Sequence, residues 1–325
     1  MRWRLVAGGL ALLMAGALAA ETWQILTPGR ALETRTRVFE IPPQQGVLAI
    51  ARRLHAAELI RSPRAFVALS LLRGTARQLQ AGEYEAPAGA STLEVLALLE
   101  AGRVRQHTVL HPEGATAHEL ARALEAERLA TATDVARAAS VEGYLFPDTY
   151  QFVRGMTAEE ILTRMVQRLR AKLTPELQAH TRARGLTVHE LLTLASIIER
   201  EAVAREEMKL ISAVFWNRLK LDMPLQADPT VQYALGKARQ SLTRADLQTD
   251  HPFNTYRRSG LPPGPIASPG LLAIRAALEP APVKYLYFVA VDERHHHFST
   301  TVEEHSAAVA RYRLTRARLE SRTRR

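Results

Sequence analysis

Thr36–Ile41 (TRVFEI) is short and rich in β-branched and aromatic residues, and it reads as a strand. The pattern then changes period. Val47–Ala57 reads as a helix. Ser62-Pro63 supplies an N-cap and a first-turn proline for a second helix, to about Arg73. Gly82–Ala86 reads as a second strand. A capping box, Ser91 with Glu94, opens a helix that Gly102 suits as an end. Val104–Leu110 reads as another strand, and a box at Thr116 and Glu119 starts further helix to about Ala139. The first half is thus a small α+β module with β-α-α-β order.

Helical periodicity dominates the second half. EGYLFPDTYQF (142–152) is aromatic and turn-rich, and a helix follows over Ala158–Leu173. The central helix begins at Thr187, boxed with Glu190 and stapled by Leu186 and Leu191. It runs through ASIIEREA (195–202) and continues, with or without a break, to Leu219. In MPLQADPTVQYALG (223–236), Asp228 is placed as an N-cap, Pro229 as the first residue and Gly236 as the C-cap of a two-turn helix. A Pro/Gly loop spans 251–270. Ser268-Pro269 is read as the start of the next helix, ending by Pro280. Strands at Tyr285–Val291 and Asp292–His297 and a terminal helix capped by Thr301 and Glu304 complete the chain. We read no long-period repeat.

Composition narrows the possibilities. The chain has 325 residues, 47% hydrophobic and 23% charged, enough for two or three domains and a sizeable core. Net charge is +10 and the isoelectric point about 10.3, which by itself permits nucleic acid, an anionic membrane or an acidic polymer as partner. The excess is almost all arginine, so codon bias explains it as well. With no cysteine, thiol nucleophiles, disulfides and Cys-ligated zinc are excluded. At the N-terminus, Arg2 and Arg4 precede an uncharged run from Leu5 to Ala20. That is the pattern of a secretory signal or an uncleaved anchor, with the arginines on the cytoplasmic side. Everything after Glu21 is then exported, which disfavours nucleic acid.

Two places carry candidate chemistry. On the central helix, Leu191, Leu194 and Ile198 form one stripe, and Glu201 lies closer to it than Glu199 does. A carboxyl partly inside an apolar face holds its proton near neutral pH, as a general acid requires. The competing reading makes both residues flank charges paired with arginines such as Arg200 or Arg205. The 251–270 loop is the second place. It carries Asn254, Thr255 and Tyr256 among prolines and apolar residues that favour burial, and it is longer than connecting loops usually are. Such side chains suit sugar hydroxyls and pyranose faces, though a packed structural loop fits equally. His295-His296-His297 suggests metal by composition only, and adjacent histidines converge poorly. There is no GxSxG and no Gly-rich phosphate loop. We expect neither a metal nor a cofactor.

Taken in order, EGYLFPDTY, ASIIEREA, VFWNRL with MPLQADPTVQYALG, FNTY with GLPPGPIASPG, and YLYFVA with HHFSTTVEEH resemble the endolytic murein transglycosylases, the YceG-like family. The motifs cover about residues 141–310. The resemblance implies an α+β fold: an N-terminal membrane anchor or signal (1–21), a tether (22–35), a LysM-like β-α-α-β module (36–103), a connecting α/β segment (104–140) and a mixed α/β catalytic domain (141–325) built around a central catalytic helix. It implies cleavage of nascent peptidoglycan glycan strands between N-acetylmuramic acid and N-acetylglucosamine, non-hydrolytic, leaving 1,6-anhydro ends. Localisation would be the inner membrane, single-pass, with the catalytic domain in the periplasm and a peptidoglycan synthase as a possible partner. The family's acid, the second Glu of ASIIE-x-E, falls on Glu201, with Glu199 a supporting carboxylate. Gln226, Asp228, Asn254, Thr255, Tyr256 and Tyr144 are assigned to the sugars. Phe253 stands where the family usually has Tyr, which removes one phenol. Two other readings stay open: a two-carboxylate peptidoglycan hydrolase with Glu199 or an Asp as partner, and a non-catalytic peptidoglycan-binding protein.

Overall fold

The computed structural model describes residues 14–17, 19–27, 36–136, 141–237 and 240–323. The fold is mixed α+β, and the chain divides into two compact units, Met1–Thr108 with Gln151–Met156, and Val109–Tyr150 with Thr157–Arg325.

In the first unit, residues 14–17 and 19–26 are helical (α1), so the segment expected as a tether begins as helix, and 28–35 lie outside the described residues. The expected membrane segment is largely outside them as well. No described helix is long and apolar enough to cross a membrane. Strand β1 (Arg37–Ile41), helices α2 (Val47–Ala56) and α3 (Pro63–Leu72), strand β2 (Gly82–Ala86) and helix α4 (Thr92–Glu100) follow in the predicted order. β1 and β2 pair antiparallel, Phe39 opposite Tyr84, and those rings stack at 5.6 Å. One face of each helix joins Tyr84 in the core: Ile50 and Leu54 from α2, Phe66 from α3, Leu96 and Leu99 from α4. The buried Glu83 carboxylate of β2 lies 2.9 Å from His107 Nε2, with Arg105 and Arg154 a little farther out.

β3 (Gln106–His111) pairs with β4 (Asp148–Val153), and the division between the units runs through both strands. β4 was not expected from the turn-rich EGYLFPDTYQF stretch.

The second unit holds α5 (Ala117–Ala126), α6 (Ala132–Ala136), α7 (Ala158–Lys172), α8 (Pro175–Ala183), α9 (Val188–Glu201), α10 (Met208–Lys220), α11 (Asp228–Ala234), α12 (Arg244–Leu247), α13 (Leu271–Leu278), the hairpin β5 (Tyr287–Ala290)–β6 (His296–Ser299) and α14 (Val302–Thr323). α9 is its axis. Thr187 and Glu190 cap it reciprocally, and every residue from Leu191 to Ile198 is buried. A helix apolar all round belongs in a core; each of its buried Leu and Ile side chains contributes about 1.5–3 kcal/mol as an upper figure. α13, α10 and α11 pack around it. α9 stops at Ala202, which turns to extended backbone, and a 3-10 turn at Arg205–Glu207 leads into α10. The sequence has no Gly or Pro there. The break coincides with burial of Glu207, whose carboxylate accepts the His296 backbone N–H and sits 2.8 Å from His296 Nδ1.

Candidate active site

The C-terminal end of α9 opens onto a cleft of about 420 Å³. Glu199, Arg200 and Glu201 form one wall, Glu113 and Gly114 another, and Asp228, Pro229 and Gln232 of α11 a third. All lie in the second unit.

The Glu201 side chain is half-buried between these walls. Burial raises its pKa to about 8, the Asp228 charge pushes the same way, and Arg200 opposes both. Near neutral pH this carboxyl therefore keeps its proton. Asp228 is not the N-cap expected from the sequence. Ala227 occupies that position with no side-chain cap, and Asp228 is the first residue of α11. Its carboxylate instead accepts a 2.5 Å hydrogen bond from the Tyr256 hydroxyl. Burial and the neighbouring Asp228 hold the Tyr256 phenol far above its ordinary pKa, so it stays a donor.

Glu199 faces differently. It accepts the backbone N–H of Gly270, the N-cap of α13, at 2.9 Å. Its pKa is also raised, mainly by burial, with Glu113 adding to the rise and Arg205 and the Gly270 bond reducing it. Glu113 in turn pairs with Arg205 at 2.8 Å. A Cβ at Gly270 would meet the Glu113 carboxyl group, which would have to shift. Helix α13 begins at Leu271, not at the Ser268-Pro269 expected. The Ser268 hydroxyl lies 2.9 Å from His111 Nε2 instead, and its backbone exchanges two hydrogen bonds with Gly114 and Ala115. That clamp fixes the turn carrying Glu113.

Four of the residues assigned to the sugars make hydrogen bonds within the protein. Asn254 is fully buried; its amide donates to the Leu247 and Thr249 carbonyls and accepts from the Tyr256 N–H. Thr255 is buried too, accepting from the Ala227 N–H and bonding Thr230. Both shape the loop that presents Tyr256. Gln226 is exposed with positive φ, and its side chain accepts from Arg218 Nη1 at 3.1 Å. The Tyr144 hydroxyl lies 3.0 Å from His189 Nδ1, and His189 Nε2 donates to the Pro263 carbonyl, which braces the 251–270 loop. We predict that Asn254→Ala destabilises by about 1–3 kcal/mol, because three backbone groups lose their partner at a buried site; a denaturant melt against wild type checks this.

Three residues were not singled out by sequence. Glu113 lies in a Pro-x-Gly turn, which could have flagged it. Arg218, in VFWNRL, uses its guanidinium to hold the carbonyls of Pro224, Leu225 and Leu286 and so sets the approach to α11. Gln232 reaches the cleft one turn beyond Asp228. Of the adjacent histidines, His295 pairs with Asp292 and His296 with Glu207. Among the described residues no group of three or more His, Asp or Glu is placed to hold a metal ion.

Residues 39–311, most of the chain, match the YceG-like family. The chain belongs to that family. The chain is also similar to the endolytic murein transglycosylase of Bacillus subtilis strain 168, 42% identical over 173 residues, which are 53% of this chain and 48% of that protein. The endolytic murein transglycosylase of Streptococcus pneumoniae strain D39 is 39% identical over 178 residues, 53% of this chain and 32% of that one. The match therefore spans about half or less of these relatives. A crystal structure of a putative YceG-like protein from Listeria monocytogenes superposes with a TM-score of 0.55 at 32% identity, covering 85% of this chain and 99% of that one.

Proposed function

We propose that this YceG-like chain cleaves peptidoglycan glycan strands within the strand, without water, and that Glu201 is acid and then base. The observation that carries the reading is the partly buried Glu201 carboxyl at the head of an open cleft lined also by Asp228, with its pKa raised by burial and by that charge. Similarity to two endolytic murein transglycosylases supports the substrate class.

Glu201 gives its proton to the glycosidic oxygen as the bond from that oxygen to muramic C1 breaks. Positive charge builds on the ring, and the newly formed Glu201 carboxylate offsets it. The muramic 6-hydroxyl attacks C1, and its proton passes to the Glu201 carboxylate. The product is a 1,6-anhydro end, and the acid is regenerated. Tyr256 fixes Asp228 through its hydroxyl. Glu199 ties α9 to the start of α13 and supports the wall rather than the reacting atoms.

The first unit, with its β-α-α-β order, is proposed as a LysM-like peptidoglycan-binding module. The Arg2/Arg4 run leading to Ala20 supports an export or anchoring role and a periplasmic site of action at the inner membrane. A synthase that delivers nascent strands is the corresponding partner.

Asp228 favours a second reading, a hydrolase in which it activates water opposite Glu201. Mass spectrometry of the products separates the two. Anhydro ends are expected, lighter by one water than the reducing ends hydrolysis gives; reducing ends alone overturn the non-hydrolytic step.

A further inference from the structure

The second unit carries another groove, of about 800 Å³, nearly twice the volume of the cleft. It runs between the end of α7, α8, the start of α10 and α13. Lys172, Arg205, Lys209 and Arg275 line it against two carboxylates, Glu176 and Glu279, so its charge is net positive. Lys209 pairs with Glu279 at 2.9 Å, but both side chains are about half exposed (55% and 51%). Such a pair holds weakly in water and exchanges readily for an incoming carboxylate. The surface between the charges is apolar, with Leu177 and the 46% exposed Leu272.

Two contacts join this groove to the cleft. Arg205 on its rim bonds Glu113 of the cleft at 2.8 Å. Glu199 of the cleft holds Gly270, the residue from which α13 enters the groove wall. A strand positioned at Glu201 thus has a basic, partly apolar channel beside it. The proposed substrate has a branch of matching chemistry: each muramic residue bears a short peptide of small apolar residues and free carboxylates. A glycan-only ligand has no such group and no use for a cationic groove.

We propose that this groove receives the carboxylate-bearing peptide of a muramic residue beside the scissile bond, with Lys209 and Arg275 as its contacts. The proposal rests on the peptidoglycan reading above. It makes the enzyme selective for strands whose peptides are still attached.

The test is kinetic and uses the full chain. Nascent strands are assayed as made and after an amidase has removed their peptides, with wild type and Lys209→Ala/Arg275→Ala. The double variant is expected to raise KM about tenfold on peptide-bearing strands, the loss of two charge-assisted contacts, with kcat unchanged. Stripped strands are expected to show no difference. An equal effect on both substrates, or none on either, overturns the peptide site. Should wild type cleave neither substrate, the functional reading fails, and calorimetry with the free tripeptide L-Ala–γ-D-Glu–diaminopimelate decides the groove separately. Binding about tenfold weaker in the double variant supports it; unchanged or absent binding overturns it.

Discussion

Glu201→Gln is expected to yield a folded protein whose strand cleavage falls by roughly three orders of magnitude, the middle of the range for a lost general acid. Glutamine keeps the size and most of the hydrogen bonding of a protonated glutamic acid, but it has no proton to give and cannot later take one. Stability separates this outcome from structural damage. The Glu201 pKa is near 4.5 when free and about 8 in the fold, so the folded state resists ionisation. A carboxyl of this kind stabilises fully below pH about 4.5 and progressively less as pH rises to about 8. Removing it takes away that cost. The variant is therefore expected to melt no lower than wild type at pH 8, by thermal denaturation, while product analysis finds no anhydro ends. Loss of stability together with activity, or full activity, would count against Glu201 as the acid.

Much of the fold was legible because it is local. The capping boxes at Ser91, Thr116 and Thr187 all form, and β1, α2, α3 and β2 begin and end within a residue or two of the pattern. Such features depend on neighbours three or four positions away. Errors arose where a distant partner competed for the same side chain. Asp228 and Ser268 each precede a proline and look like caps, but one is engaged by Tyr256 and the other by His111, 157 positions away. Asn254 has the chemistry of a sugar ligand, and its buried amide is matched locally by backbone groups on Leu247, Thr249 and Tyr256. The central helix was placed well, yet its wheel only mildly favoured Glu201 over Glu199. All of Leu191–Ile198 is buried, so there is no polar face for the comparison. What distinguishes them lies outside the helix: Glu199 meets a backbone N–H, whereas Glu201 meets the charge of Asp228.

That last contact makes Asp228→Asn the sharpest discriminator of mechanism. Asparagine retains an acceptor for Tyr256 but removes the negative charge facing Glu201. Arg200, on the same helix, and the Tyr256 phenol are the other groups that act on this pair, and both are unchanged. Burial still raises the Glu201 pKa, but by less once Asp228 is neutral. If Glu201 works alone, its proton is available below its pKa and lost as pH rises through it. The alkaline limb of the activity profile then moves to lower pH, and each unit of movement costs about tenfold in rate on that limb while the acid plateau survives. If Asp228 is instead the base of a hydrolase, the same substitution removes activity at every pH and leaves no plateau. A pH–rate profile of Asp228→Asn beside wild type, read with the identity of the product ends, distinguishes the one-carboxylate from the two-carboxylate mechanism.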